Sequence, residues 1–345
     1  MRLRRYLSII ILLSALSSGA QTLGGSAVYT FLKLPSSPFL SAAGGANVSY
    51  TGGDVGLAAS DPAMLTKSLQ GQVALNFNSF FAGVKAYQLA GAFHKAAWNT
   101  TFAASLFYVD YGSIDQTDIY GNTNGSFRPK DMSFQLSAAS TYLEHWQYGL
   151  TAKFIQSNYG QYSSSGLAFD VGLLFSDTAR FFSAGIAVKN MGGQLKTYNG
   201  TKEEIPFDLQ VGITKRLAKA PFGFSLTAQQ LHQFNSEYND TTFNNDNGFT
   251  HTTSFGSKLI NHFVLATHIY LGANLEVTLG YNFLRRYELN LGNAGNGLNG
   301  FSAGFRAKFN KIQVQYSRAY YQRNSAYNQF GINLDLKKAF GIKAL

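Results

Sequence analysis

Apolar and polar side chains take turns along most of this sequence, in runs of about ten residues that follow one another down the chain. In 301–310, Phe301, Ala303, Phe305, Ala307 and Phe309 fall on one face and Ser302, Gly304, Arg306, Lys308 and Asn310 on the other. In 330–337, Phe330, Ile332, Leu334 and Leu336 alternate with Gly331, Asn333, Asp335 and Lys337. The same pattern sets Phe207, Leu209, Val211 and Ile213 against Asp208, Gln210, Gly212 and Thr214. Leu167, Phe169, Val171, Leu173 and Phe175 share a face as well, with Leu174 as an apolar intruder on the polar side. A side-chain period of two belongs to β-strands, where successive Cβ atoms point to opposite faces of the sheet.

The runs exceed the roughly 5–6 residues usual for strands of soluble domains. They match the roughly 9–11 residues that a tilted strand needs to cross a bilayer. About fourteen of them occur with no helix-length pattern between them, which a soluble sandwich or an enclosed ligand-binding barrel does not explain. In lipid every backbone N–H and C=O must find a partner, and strands achieve this only by closing on themselves. Composition agrees. Only 13% of the 345 residues are charged, against about 25% in an ordinary soluble domain, while 29 Phe and 20 Tyr supply abundant apolar surface. Past the first twenty residues no stretch approaches the roughly 18 apolar residues of a membrane helix, and the absence of Cys excludes a disulfide scaffold or a thiolate metal site. The expected class is all-β: a membrane-spanning antiparallel β-barrel of about 14 strands with an N-terminal plug segment.

Strands are expected near 72–80, 84–94, 100–110, 130–141, 147–157, 165–176, 181–190, 206–216, 222–233, 256–271, 275–284, 300–309, 312–318 and 327–337. The connections alternate in length. Those after even-numbered strands, at 95–99, 142–146, 177–180, 217–221, 272–274 and 310–311, are short. Most of those after odd-numbered strands, at 111–129, 158–164, 191–205, 234–255, 285–299 and 319–326, are long, and only the first, 81–83, is short. Outer-membrane barrels pair short periplasmic turns with long outer loops. This parity puts both termini in the periplasm. Aromatic residues such as Tyr148, Phe154, Tyr281, Phe283, Tyr316 and Phe330 lie toward strand ends, where amphipathic rings favour the headgroup boundary.

The first twenty residues read as a cleaved export signal: Arg2, Arg4 and Arg5, then Ile9 to Leu13, then Ser18-Gly19-Ala20. Residues 21–70 are too many for a linker and too apolar for a loose extension, so they are expected to form a plug in the lumen. The barrel proper is expected over 71–338, with 339–345 as a short periplasmic tail.

Three motifs in the plug segment carry a resemblance. They are Phe31-Leu32-Lys33-Leu34-Pro35-Ser36-Ser37, the turn ending at Gly44-Gly45, and Asp61-Pro62-Ala63 just before the first strand. With them the chain resembles the PorQ-type members of the PorV/FadL-like outer-membrane barrels, whose PorQ and PorV branches serve the type IX secretion system. The resemblance implies fourteen strands, an N-terminal plug and a non-catalytic anchor. In that role it would hold a PorZ-like surface protein and, through it, the PorU/PorV sortase complex that joins cargo to anionic lipopolysaccharide. Members of the wider FadL-like group carry Asn before Pro-Ala, where this chain has Asp61.

No Cys nucleophile, HExxH, GxSxG or GxxxxGK[ST] occurs. The chain is therefore expected to be no enzyme, to need no cofactor or metal, and to have no nucleic-acid partner. His262 and His268 share a face on an expected strand, and the charges of Asp170, Arg306, Lys308, Asp335 and Lys337 fall on lumen faces. Solvation and ion pairing explain them as well as chemistry does. Candidate partner-facing residues lie in the long loops: Tyr120, Tyr198, Tyr238, Phe243, Phe249, Arg285 and Arg286, the two arginines being placed to meet lipopolysaccharide phosphates. Two functions stay open, a scaffold that docks a surface protein and a FadL-like channel for hydrophobic or small solutes.

Overall fold

A computed structural model describes residues 27–234, 254–289, 297–322 and 325–340. The chain first threads a compact segment of short turns, then winds into a barrel. The early strands are β1 (Gln72–Ser79), β2 (Lys85–Lys95) and β3 (Thr100–Asp110), followed by a hairpin of β4 (Ile114–Thr117) and β5 (Thr123–Phe127). Next come β6 (Lys130–Tyr142), β7 (Trp146–Tyr159), β8 (Tyr162–Asp177), β9 (Phe182–Lys196), β10 (Asp208–Arg216) and β11 (Phe222–Ala228). The last five are β12 (Phe263–Leu271), β13 (Leu275–Asn282), β14 (Phe301–Phe309), β15 (Ile312–Gln322) and β16 (Ser325–Asp335).

All of these except β4 and β5 form one closed antiparallel barrel of fourteen strands among the described residues. Each pairs with its neighbours in sequence, and β1 closes on β16 from Gln72 opposite Asp335 to Ser79 opposite Asn328. No helix among the described residues is long and apolar enough to cross a membrane. The alternation seen in the sequence becomes an inversion of the soluble pattern. Leu75, Leu89, Leu136, Leu150, Phe305 and Phe330 are exposed on the outer wall, whereas Gln88, Gln135, Thr151, Asp170, Gln315 and Gln329 are buried within. Burying amides and carboxylates while exposing leucines is favourable only when the outer solvent is hydrocarbon.

Each of the fourteen expected strands has its counterpart, and most of the differences lie at the long-loop end. The expected strand at 256–271 begins with helix α2 (Phe255–Asn261), capped by Ser254, and becomes extended only at Phe263. The expected strand at 275–284 stops at Asn282, whose side chain accepts from the Arg285 N–H and starts helix α3 (Phe283–Glu288). An amide cap competes with the ladder for the same backbone donors, and it wins here because no strand partner continues above Asn282. The 111–129 loop contains the β4–β5 ribbon, and β16 gives way to helix α4 (Leu336–Phe340). His262 accordingly caps α2 and does not lie on a strand with His268.

The plug descends through the lumen. Val28 donates to Glu204 O in the long β9–β10 connection (2.8 Å), so the first described residues stand at the long-loop end, and the chain reaches the short-turn end at Gln72. The N-terminus, expected on the periplasmic side, lies outside the described residues, and β16 ends at the short-turn end. On the way down come helix α1 (Pro38–Ala42) and 3-10 turns at Thr30–Lys33, Val55–Ala59, Pro62–Met64 and Lys67–Leu69. The signal segment 1–20 and residues 341–345 lie outside the described residues.

Facing can be checked directly. Phe305→Arg places a charge on the hydrocarbon side and is expected to cost about 2–4 kcal/mol near the bilayer midplane. Ser302, which donates to Ala42 O of the plug at 2.9 Å, should be sensitive through that lost contact and not through lipid. Reversible unfolding in vesicles of different thickness separates the two, because only the Phe305→Arg loss should vary with thickness.

Candidate functional site

The plug brings its own hydrophobic core into a polar barrel. At the long-loop end Val28, Tyr29 and Phe31 pack against Phe107, Val109 and Ile155, with Leu32, Leu34 and Tyr198 around them. In the middle Phe39, Leu40, Tyr50, Leu57, Ala63 and Met64 meet Leu174 and Ala266. Lower down Val55, Ala58, Leu65 and Leu69 lie on a floor of Ala74, Ala90, Ala92, Ala103 and Ala139. Leu174, the exception in the alternation of β8, is a wall residue that belongs to the plug's core. Burying such side chains is worth about 1.5–3 kcal/mol each, and a loose extension would forgo that.

Glycines on the inner wall let the plug backbone approach the strands. A Cβ on Gly149 of β7 would stand 2.7 Å from the Ala63 nitrogen, and one on Gly304 of β14 would stand 2.7 Å from the Ala42 Cβ. One on Gly331 of β16 would meet Pro38 at 2.9 Å. Gly172 leaves room for the Asp61 carboxylate, Gly185 for the Val48 carbonyl and Gly280 for the Ala42 carbonyl, each otherwise in overlap. The Gly44-Gly45 turn is the converse, with both residues at positive φ (92° and 95°) closing α1. Gly45 N–H donates to Leu40 O at 2.8 Å, a helix end that glycine adopts without strain.

That turn is also clamped. Gly44 O accepts from Asn282 Nδ2 (3.0 Å) and from Arg285 Nη2 (2.8 Å). Arg285 is therefore a buried plug ligand and not a rim residue for lipopolysaccharide, because α3 turns it back over the lumen. Arg286 is half-buried against Gly300. Tyr198 likewise turns inward, donating to Ser157 Oγ and lying edge-on to Tyr159. Tyr120 alone among the described candidates stands clear, 82% exposed beside Ile119 at 91% on the tip of the β4–β5 ribbon. Tyr238, Phe243 and Phe249 lie outside the described residues.

Sequence reasoning did not foresee an ionic and aromatic cluster at mid-lumen. Arg306 of β14 pairs with Glu276 of β13 and donates to plug groups, the Tyr50 hydroxyl and Gly52 O (2.9 Å). The Tyr50 hydroxyl donates to Glu276 Oε2 at 2.7 Å, and His268 of β12 lies 3.2 Å from Glu276 Oε1. Phe39 stacks on Tyr50 with centroids 4.1 Å apart and covers His268 at 5.5 Å. A second ion pair, Lys153 to Asp170 at 2.6 Å, is buried beside Asn190, whose left-handed backbone (φ 57°) marks the bulge between β8 and β9. Among smaller links, Asp54 accepts from Gln315 (3.0 Å) and Asn333 (2.9 Å), and Ser49 bonds to Thr214 at 2.7 Å. Ser41 bonds to Tyr327 at 2.6 Å.

Asp61 caps the Pro62–Met64 turn, its Oδ1 accepting from Ala63 N–H at 2.8 Å. Its Oδ2 is buried with no hydrogen bond among the described residues. Burial raises the carboxyl to about 7, against the lowering effects of the Ala63 N–H and Lys189, with Asp170 adding to the rise.

Fold and lumen together define a class: a closed outer-membrane β-barrel filled by a plug from its own chain. No protein-family model matches the sequence, and no curated protein is matched by it. Solved structures are matched by shape. The toluene transporter TodX of Pseudomonas putida superposes with a TM-score of 0.52 at 11% identity, over 87% of this chain and 96% of that one. A deltaS2 mutant described as the TodX monoaromatic hydrocarbon channel gives 0.51 at 12%, over 86% and 96%. A FadL homologue from Pseudomonas aeruginosa gives 0.47 at 10%, over 87% and 98%. At such identities the likeness is one of fold alone.

Two outcomes test the seat. Gly280→Ala should displace the plug and cost about 1–3 kcal/mol. Gly91→Ala, whose new methyl would meet only Val73 at 3.7 Å, should be neutral, as read by thermal unfolding and by protease cleavage within 27–70. Asp61 gives a pH signature. Its folded pKa is above the unfolded carboxylate value, so its contribution to stability falls as pH rises from about 4 to about 7 and is then flat. Asp61→Asn should remove that contribution, matching wild type near pH 4 and exceeding it at pH 8 by up to about 4 kcal/mol; an unchanged difference between variant and wild type at the two pH values would refute the assignment.

Proposed function

We propose that this protein is a plug-gated outer-membrane channel for small hydrophobic or small polar solutes. On this reading the short turns face the periplasm and the long loops the exterior, as the alternation of loop lengths supports. The observation that carries it is a lumenal cavity of about 640 Å³, open at the short-turn end, that reaches up to Tyr50–Gly52 of the plug. A barrel serving only as an anchor has no use for such a chamber. The fold shared with a structure described as a toluene transporter supports the same reading. The plug is seated by exchangeable hydrogen bonds and close glycine contacts, with no covalent tie, which suits a part that shifts to let a solute by.

A second reading keeps the type IX secretion role, with this barrel as the membrane anchor of a PorZ-like surface protein linked to the PorU/PorV sortase complex. One observation favours it: the β4–β5 ribbon carries Ile119 and Tyr120 exposed at its tip, an apolar and aromatic end that suits a protein contact.

The two readings part in one experiment. The chain has no cysteine, so Ser49→Cys with Thr214→Cys allows one disulfide to be formed between plug and β10, where the native hydroxyls are 2.7 Å apart. Oxidation should abolish toluene flux into liposomes and reduction should restore it; undiminished flux in the oxidised form would end the gated-channel reading. Recovery of a surface protein from native membranes, unaffected by the disulfide and lost when 117–123 is trimmed, would favour the anchor.

A further inference from the structure

The chamber beneath the plug has an uneven lining. Of its charged residues, Glu276 is paired with Arg306, and Asp177 faces Arg180 at 3.6 Å. Arg216 of β10 and Lys308 of β14 also line it, and neither has a carboxylate within ion-pair distance among the described residues. Both occupy inward positions of their strands, in phase with Gly212 and Thr214 and with Gly304 and Arg306. The Arg216 guanidinium lies over the Tyr270 ring at 4.2 Å and near the Phe181 ring at 5.8 Å. The contact holds the cation against the ring face, and its N–H donors can form a carboxylate fork. Leu275 and Tyr50 add apolar surface to the same wall. The volume falls within the roughly 300–1,000 Å³ of small-molecule sites, which combine apolar lining with a few convergent polar groups.

We propose that this chamber is a binding site for a small aromatic carboxylate, held by Arg216 and Lys308 through its carboxylate and by Tyr270 and Phe181 through its ring. The charge balance decides the sign of the ligand: two cations without carboxylate partners face a space whose anions are already engaged. The flanking rings decide its body, since an aryl group packs on the same rings that Arg216 already contacts. As an exit chamber the site rests on the channel reading; as a binding site it rests on the lining alone.

The test uses the full chain in zwitterionic nanodiscs, with 2-naphthoate titrated by calorimetry against empty nanodiscs. Saturable binding is expected. Arg216→Ala should weaken it by about tenfold or more, and the neutral isostere 2-naphthamide should bind wild type weaker by a similar factor. Lys219→Ala, in the β10–β11 turn and outside the chamber lining, should leave it unchanged. No saturation, equal binding of the amide, or full competition by an equal concentration of inorganic phosphate would overturn the proposal. The last result would mark a simple anion site. If Arg216→Ala does not fold, as judged by heat-modifiable gel mobility, the comparison of naphthoate with naphthamide on the wild-type protein decides alone. Saturable binding without flux would retire the channel and keep the site, and flux without binding would do the reverse.

Discussion

The backbone hydrogen bonds between β1 and β16 are the contacts on which the other features depend. Hydrocarbon offers no partner to a free N–H or C=O, so a sheet that crosses it has to close. Once the ladder runs unbroken from Gln72–Asp335 to Ser79–Asn328, the two faces of each strand meet different solvents. Leucine and phenylalanine then belong outside, and the lumen inherits every amide, hydroxyl and charge. That polar interior is a cost unless its groups are paired. The plug supplies many of the partners: Ala42 O for Ser302, Gly44 O for Arg285 and Asn282, and Gly52 O for Arg306.

The plug meets the wall by two physical means. Apolar side chains from the plug collect the few apolar residues on the inner wall, among them Leu174, Ile155 and Ala266. Its backbone makes close approaches wherever the wall gives up a side chain, at Gly149, Gly172, Gly185, Gly280, Gly304 and Gly331. Buried ion pairs such as Arg306–Glu276 add little net stability, because desolvation offsets the attraction. What they contribute is register, since Arg306 satisfies Glu276, Tyr50 and Gly52 together only when the plug sits at one height.

Much of this was legible in the sequence. The period of two located all fourteen barrel strands, several to within a residue, because a one-residue slip would turn leucines into the lumen. The punctuation of the plug was readable too: Asp61-Pro62 caps a turn, and Gly44-Gly45 ends a helix. The long-loop end was not. The expected strands extend past Asn282 and before Phe263, yet α3 and α2 form there, since local caps win where no neighbouring strand competes. The glycine seat left a trace, glycines recurring at inward positions of different strands, but a lone glycine in a strand has other meanings.

The sequence by itself determined which residues face lipid and hence that the chain is a closed sheet in a membrane, because that choice repeats at every second residue and needs no knowledge of neighbours. Tertiary structure alone decided what fills the barrel and what stays open. Tyr50 meets Glu276 and Arg306 across more than two hundred residues of chain, Arg285 turns inward to hold Gly44, and Arg216 comes to lie on Tyr270 beside the chamber. Such pairings depend on strand order, register and the height of the plug, quantities fixed only when the ladder closes.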